Sequence, residues 1–237
     1  MTSRGLVKAV AYAAMRRLLR AAVFAAVVAA PLAARAQEVN LSRLDDEPAN
    51  RVHVRTGAEY GFVASVGYAR TVSLLDRRLL LTSDVTFPFG NADASDYRVR
   101  AGALVPIVGS RQWRLAGTLA PTARGTQNAA GTMTSLGTDV GVQGGFYARH
   151  WFVAGETGLD WAMTTHIKHS DTYRELVYEG ARDGWYAMSG GIIRYGLQAG
   201  ASFGRHDLTL RAGQMVEVGG EKPMLPFYGT LSLDTRW

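Results

Sequence analysis

The stretch that decides the fold is the last one, Leu225-Pro-Phe-Tyr-Gly-Thr-Leu-Ser-Leu-Asp-Thr-Arg-Trp237. Its odd positions read Leu225, Phe227, Gly229, Leu231, Leu233, Thr235 and Trp237. Its even positions from Tyr228 onward read Tyr228, Thr230, Ser232, Asp234 and Arg236. A strand sends successive side chains to opposite faces, so this segment has one apolar and one mostly polar face. An apolar face carried to the final residue is costly where a terminus frays into water. It is favourable at a membrane interface, where aromatic rings sit at headgroup level.

The same alternation recurs upstream. Leu79, Leu81, Val85 and Phe87 oppose Thr82, Asp84 and Thr86, while Tyr97, Val99, Val105 and Ile107 oppose Arg98 and Arg100. Trp113, Leu115 and Leu119 oppose Arg114 and Thr118; Val140, Val142 and Phe146 oppose Asp139 and Gln143. Trp151, Val153, Leu159, Trp161 and Met163 oppose Glu156 and Asp160. Ile193, Tyr195, Leu197 and Phe203 oppose Arg194, Gln198 and Ser202, and Leu208 and Leu210 oppose Thr209 and Arg211. Short alternating runs broken by Gly, Asn and Asp argue an all-β sandwich or barrel. Aromatics at strand ends (Tyr97, Trp113, Trp151, Trp161, Trp237) and charged polar faces favour the barrel over the soluble sandwich.

The other end of the chain is of a different kind. Arg4, Lys8, Arg16, Arg17 and Arg20 precede an apolar run over 21–34 and the small-x-small site Ala34-Arg35-Ala36, the three parts of a secretory signal peptide. The apolar run is too short for a spanning helix. Residues 1–36 are therefore expected to be a signal cleaved after Ala36, with Met15 an alternative start. The chain has no cysteine, which excludes a lipoprotein anchor and disulfides. All six basic residues of 1–36 leave with the signal, so of 26 Lys and Arg 20 remain against 20 Asp and Glu. The net charge of +6 belongs to the precursor, and a basic nucleic-acid binder is the wrong inference.

The terminal strand and the signal together resemble the outer-membrane β-barrel proteins of Gram-negative bacteria. The resemblance implies an outer-membrane location, contact with outer-membrane lipids, and a C-terminal strand (Tyr228, Leu231, Leu233, Trp237) that the barrel-assembly machinery reads as its signal. The expected architecture is a small closed antiparallel up-and-down transmembrane β-barrel, porin-like in plan, over 51–237 after a periplasmic polar leader at 37–50. Short links at 76–77, 109–111, 148–150 and 204–206 read as periplasmic turns, and longer ones at 89–96, 124–135, 167–183 and 219–223 as outer loops. This puts the C-terminus in the periplasm. Ten strands are expected if 52–75 folds at Gly61 or Gly67, although its apolar parity from Val52 to Tyr68 resists a central turn; eight is the alternative.

A barrel of this size has an interior just wide enough for side chains. The inward set is charged: Asp84, Arg98, Arg100, Arg114, Asp139, Glu156, Asp160, Arg194, Arg211, Glu217, Asp234 and Arg236. These read as a structural ion-pair network, with a narrow arginine-lined pore as the alternative. The most chemical-looking segment is Thr164-Thr-His-Ile-Lys-His-Ser-Asp171, where His166, His169, Ser170 and Asp171 hold the parts of a nucleophilic triad at the outer rim. A lipid- or peptide-hydrolysing enzyme, a metal site on the two histidines and a plain polar loop are the competing readings. No Gly-rich phosphate loop or cofactor fingerprint is present, so no cofactor is expected. The leading function is an integral outer-membrane barrel with a structural, surface-interaction or minor transport role.

Overall fold

The computed structural model describes residues 39–237 apart from 45, 47–49, 75–76, 90–95 and 221–222. The signal expected at 1–36 lies outside the described residues. Ten antiparallel strands close into one barrel: β1 (Asn50–Ala58), β2 (Phe62–Leu74), β3 (Arg77–Pro88), β4 (Tyr97–Gly109), β5 (Trp113–Asn128), β6 (Gly131–Tyr147), β7 (Trp151–His169), β8 (Gly184–Phe203), β9 (His206–Glu217) and β10 (Phe227–Arg236). Each strand pairs with its sequence neighbours, and β1 pairs with β10 to close the ring. Ten rather than eight is the strand number.

The segment 52–75 does fold at Gly61, in spite of its unbroken parity. Ala58 pairs with Phe62 and Val54 with Val66, across a three-residue link at 59–61. An antiparallel pair joined by an odd-length link matches residues of equal parity. Unbroken alternation is therefore what such a hairpin produces, and the argument from parity against a turn fails on geometry. Val52, Val54, Phe62 and Val66 all stay exposed on the outer face, while His53, Arg55, Val63 and Ser65 are buried inside.

The link expected at 124–135 shrinks to Ala129-Ala130, because β5 runs to Asn128 and β6 starts at Gly131. β5 to β8 have 16, 17, 19 and 20 residues, against 9 for β1 and 10 for β10. The longer strands project beyond the rest of the barrel at the loop end. The stretch 124–135 is polar or small at nearly every position and has no apolar alternation, so it reads as loop. The link after β7 carries a short helix, α1 (Asp171–Leu176).

The leader is not a polar segment lying outside the strands. Residues 41–43 form a 3₁₀ turn, and Val39, Leu41 and Leu44 are fully buried with Leu80, Leu104, Ala116, Tyr147, Phe152 and Ala154. β3, β4, β5 and β7 thus present apolar side chains inward at the turn end, and the leader supplies the apolar cover they need. Burial of three such residues contributes roughly 1.5–3 kcal/mol each.

Closure at the β1–β10 seam depends on Gly57. Its φ is +148°, and a Cβ there would collide with the Gly229 carbonyl oxygen of β10. Gly57→Val is expected to destabilise the barrel by roughly 2–3 kcal/mol, read as a lowered urea midpoint of the detergent-folded protein. Gly61→Val, whose added side chain meets open space, is expected to change stability by less than about 0.5 kcal/mol.

Candidate functional site

The interior above the apolar floor is a stack of guanidinium–carboxylate contacts. Each arises from an inward position of a strand whose outward positions are apolar. Near mid-barrel, Arg100 of β4 donates to Asp84 of β3 through Nε at 3.0 Å and Nη2 at 2.8 Å, and Arg55 of β1 stands 3.6 Å from the same carboxylate. Asp139 of β6 accepts from Arg194 of β8 at 2.7 and 2.8 Å and from Arg98 of β4 at 3.3 Å. One level toward the turn end, Glu156 of β7 accepts from Arg211 of β9 at 2.7 Å and from the Tyr228 hydroxyl at 2.5 Å. Gln198 donates to Gln143 at 3.0 Å.

The loop end of this stack is closed by the β1–β2 link, which turns inward. Glu59 is buried, with Arg55 at 3.7 Å and Arg98 at 3.6 Å. The Tyr60 hydroxyl donates to Asp160 of β7 at 2.6 Å, and Arg98 and Arg124 also donate to that carboxylate. Both guanidinium groups lie over the Tyr60 ring, 5.0 and 4.4 Å from its centre, which adds cation–π attraction.

The turn end is closed by the leader. Asp207 of β9 takes Arg51 at 3.4 Å and Arg43 at 3.3 Å, and Arg236 reaches Asp46 at 3.3 Å. Asn40 donates to the Ala148 carbonyl at 2.8 Å and to Ser202 at 3.0 Å, while Arg114 donates to the Leu41 carbonyl at 2.8 Å. Between the two closures, among the described residues, two cavities that border the central arginines measure about 20 and 10 Å³. That is room for about one water molecule each. The larger cavities, about 340 and 560 Å³, lie at the two mouths.

Of the twelve charged residues expected inside, Asp84, Arg98, Arg100, Asp139, Glu156, Asp160, Arg194 and Arg211 are brought together in the central stack. Arg114, Asp234 and Arg236 lie at the turn end, and Glu217 is half-exposed at the loop end of β9. Arg51, His53, Arg55, Glu59 and Asp207 were missed, although the first three alternate with Val52 and Val54 and parity alone locates them. Tyr60 gave no signal, because its parity assigns it to the outer face. Leu231, Leu233 and Trp237 of the terminal strand are exposed on the outer face, but Tyr228 is buried inside against Glu156.

The histidine–serine segment does not assemble a triad. The Ser170 hydroxyl donates to the Ala129 carbonyl at 2.7 Å and accepts from the Tyr173 N–H, as the N-cap of α1. His169 faces Asp183 at 3.2 Å and stacks on Tyr173, His166 packs against Trp185, and Asp171 is exposed beside Arg174. No cluster of three metal-ligating side chains occurs among the described residues. These groups shape the loop: His169, Arg174 and Asp183 clasp its two ends, with Arg174 at 2.7 Å from the carboxylate.

The His169 backbone N–H and the Arg174 guanidinium hold Asp183 down to about 2. A depressed carboxylate contributes stability above its ordinary value and loses it as pH falls through the folded value. The clasp is therefore expected to persist at pH 4 and open near pH 2, followed by the Asp183 carboxyl carbon signal in NMR. Within the barrel, Arg100→Ala leaves Asp84 buried without its bidentate donor. Destabilisation of roughly 3–5 kcal/mol is expected, measured by urea unfolding.

No protein-family model matches the chain. No curated protein matches it. Among solved structures it is similar to the β domain of the Bordetella autotransporter BrkA, at 11% identity and a TM-score of 0.39, over 80% of this chain and 99% of that one.

Proposed function

We propose that this chain is an integral outer-membrane β-barrel with a closed lumen, a membrane-embedded scaffold whose work is done at its surfaces. The observation that carries the reading is the doubly closed, charge-paired interior inside an apolar outer wall. Along β7 the outward Trp151 and Trp161 stand ten positions apart. At ~3.3 Å per residue and a strand tilt of ~40°, that separates two aromatic levels by about 25 Å, the height of an outer-membrane apolar band. Trp113, Phe146, Trp151 and Phe203 gather at the turn end, and Phe62, Phe87, Trp161 and Phe227 are exposed toward the loop end. An even strand number brings both strand termini to the turn end, which this reading places in the periplasm. The outward Leu231, Leu233 and Trp237 then supply the face that the assembly machinery meets. The projecting parts of β5 to β8, with α1 and its loop, form the outer surface available to partners.

The narrow pore is the competing reading, and planar-bilayer recording separates the two. The purified barrel is expected to give no stable conductance steps, and single-channel steps would overturn the closed-lumen reading. A chain lacking residues 37–46 is also expected to stay silent, because the Tyr60–Arg98–Asp160 closure remains.

A further inference from the structure

We propose that the turn end of the barrel binds anionic phospholipid headgroups, through arginines in its short turns set beneath outward aromatic rings. The inference rests on the outer-membrane reading and names the partner of one face of it. Arg111 precedes Trp113 by two residues, Arg149 precedes Trp151 by two, and Arg205 follows Phe203 by two. All six residues are exposed. Each arginine lies in the turn or bend beyond the strand end that carries its ring, and so stands further from the membrane centre than that ring. Rings of this kind occupy the headgroup boundary, and a guanidinium just beyond them lies at phosphate depth. Its planar fork of donors matches a phosphate in a bidentate manner.

Arg77 and Arg78, at the start of β3 after the remaining short link, border the cavity of about 560 Å³. Arg114 and Leu44 line the same cavity, together with Ile107 and Val108 of β4. Ile107 and Val108 are 52% and 64% exposed on the outer face, so the cavity opens from guanidinium groups onto the lipid-facing band. A headgroup phosphate against the arginines and an acyl chain against the two aliphatic residues fill both halves; a free anion fills one. The sequence of the four short links holds a single acid, Asp76. The carboxylates Asp46 and Asp207 of this end are directed inward to Arg236, Arg43 and Arg51, and Asp234 is buried. The opposite end has no such excess, since its longest link carries Asp171, Glu175, Glu179 and Asp183 against Arg174 and Arg182.

The test refolds the full mature barrel and the variant R111Q/R149Q/R205Q into phosphatidylcholine vesicles. Increasing fractions of brominated phosphatidylglycerol or brominated phosphatidylcholine are then included, and tryptophan quenching reports relative lipid association. The wild type is expected to prefer phosphatidylglycerol at least about fivefold, and the variant to lose that preference while keeping its heat-modifiable gel shift. A wild type without preference overturns the inference whatever the variant does, and so does an unchanged preference in a folded variant. Loss of the preference in millimolar inorganic phosphate, but not in chloride of equal ionic strength, overturns the lipid assignment in favour of a free-anion site. Failure to insert into either vesicle overturns the outer-membrane reading itself, whereas insertion without lipid selectivity overturns this inference alone.

Discussion

A charge inside a narrow barrel has to meet its opposite, and that constraint organises the rest of this molecule. Removing an ion from water costs several kcal/mol even after relaxation, so a lone arginine in this lumen would not be tolerated. The pairs are arranged to do more than neutralise. Backbone ladders already tie each strand to its neighbours. Arg98 on β4 reaches Asp139 on β6 and Asp160 on β7, Arg194 on β8 reaches Asp139, and Arg211 on β9 reaches Glu156 on β7. These contacts span the bore or skip a strand, so they brace the ring in directions the ladders do not.

The two mouths are closed by different chemistry because the inward faces of the strands differ along their length. At the turn end Leu80, Leu104, Ala116 and Phe152 of β3, β4, β5 and β7 point inward under Val39, Leu41 and Leu44, while Arg51, Asp207 and Arg236 of β1, β9 and β10 hold the leader through Arg43 and Asp46. At the loop end the inward residues are charged, and the cover is Glu59 and Tyr60, one ionic and one aromatic with a hydroxyl. Tyr60 suits that position because a single side chain offers a face to Arg98 and Arg124 and a donor to Asp160.

The fold class was legible in the sequence because a two-residue period is a strong signal where one face meets apolar surroundings. Strand faces followed directly: Arg98 and Arg100 inward, Val99 and Val105 outward. The signal vanishes where that asymmetry vanishes. In the upper halves of β5 and β6 both faces are polar or small, so 124–135 read as loop and Arg124 was lost with it. The leader looked polar because Asn40, Ser42, Arg43 and Asp46 outnumber its three buried apolar residues, and nothing local says that those three have a floor to cover. Partner choice was not legible at all. Parity puts Arg211 and Glu156 inside, but their meeting depends on the register and stagger of strands two apart in the ring.

On the closed-lumen reading proposed above, what remains variable is surface. The histidine–serine segment illustrates this. Its residue types invite a catalytic reading, yet Ser170 and His169 are engaged in holding the loop: Ser170 caps α1 and ties it to Ala129, and Asp183 joins His169 to Arg174. A catalytic serine needs its proton directed to a base, and here it is directed to a backbone carbonyl. The same residues instead stiffen the base of the projecting β7–β8 extension, which leaves Leu176, Val177, Tyr178 and Trp185 exposed above it. Rigid support beneath exposed aromatic and aliphatic side chains is the arrangement that recognition requires, because ordering entropy is spent in folding rather than in binding.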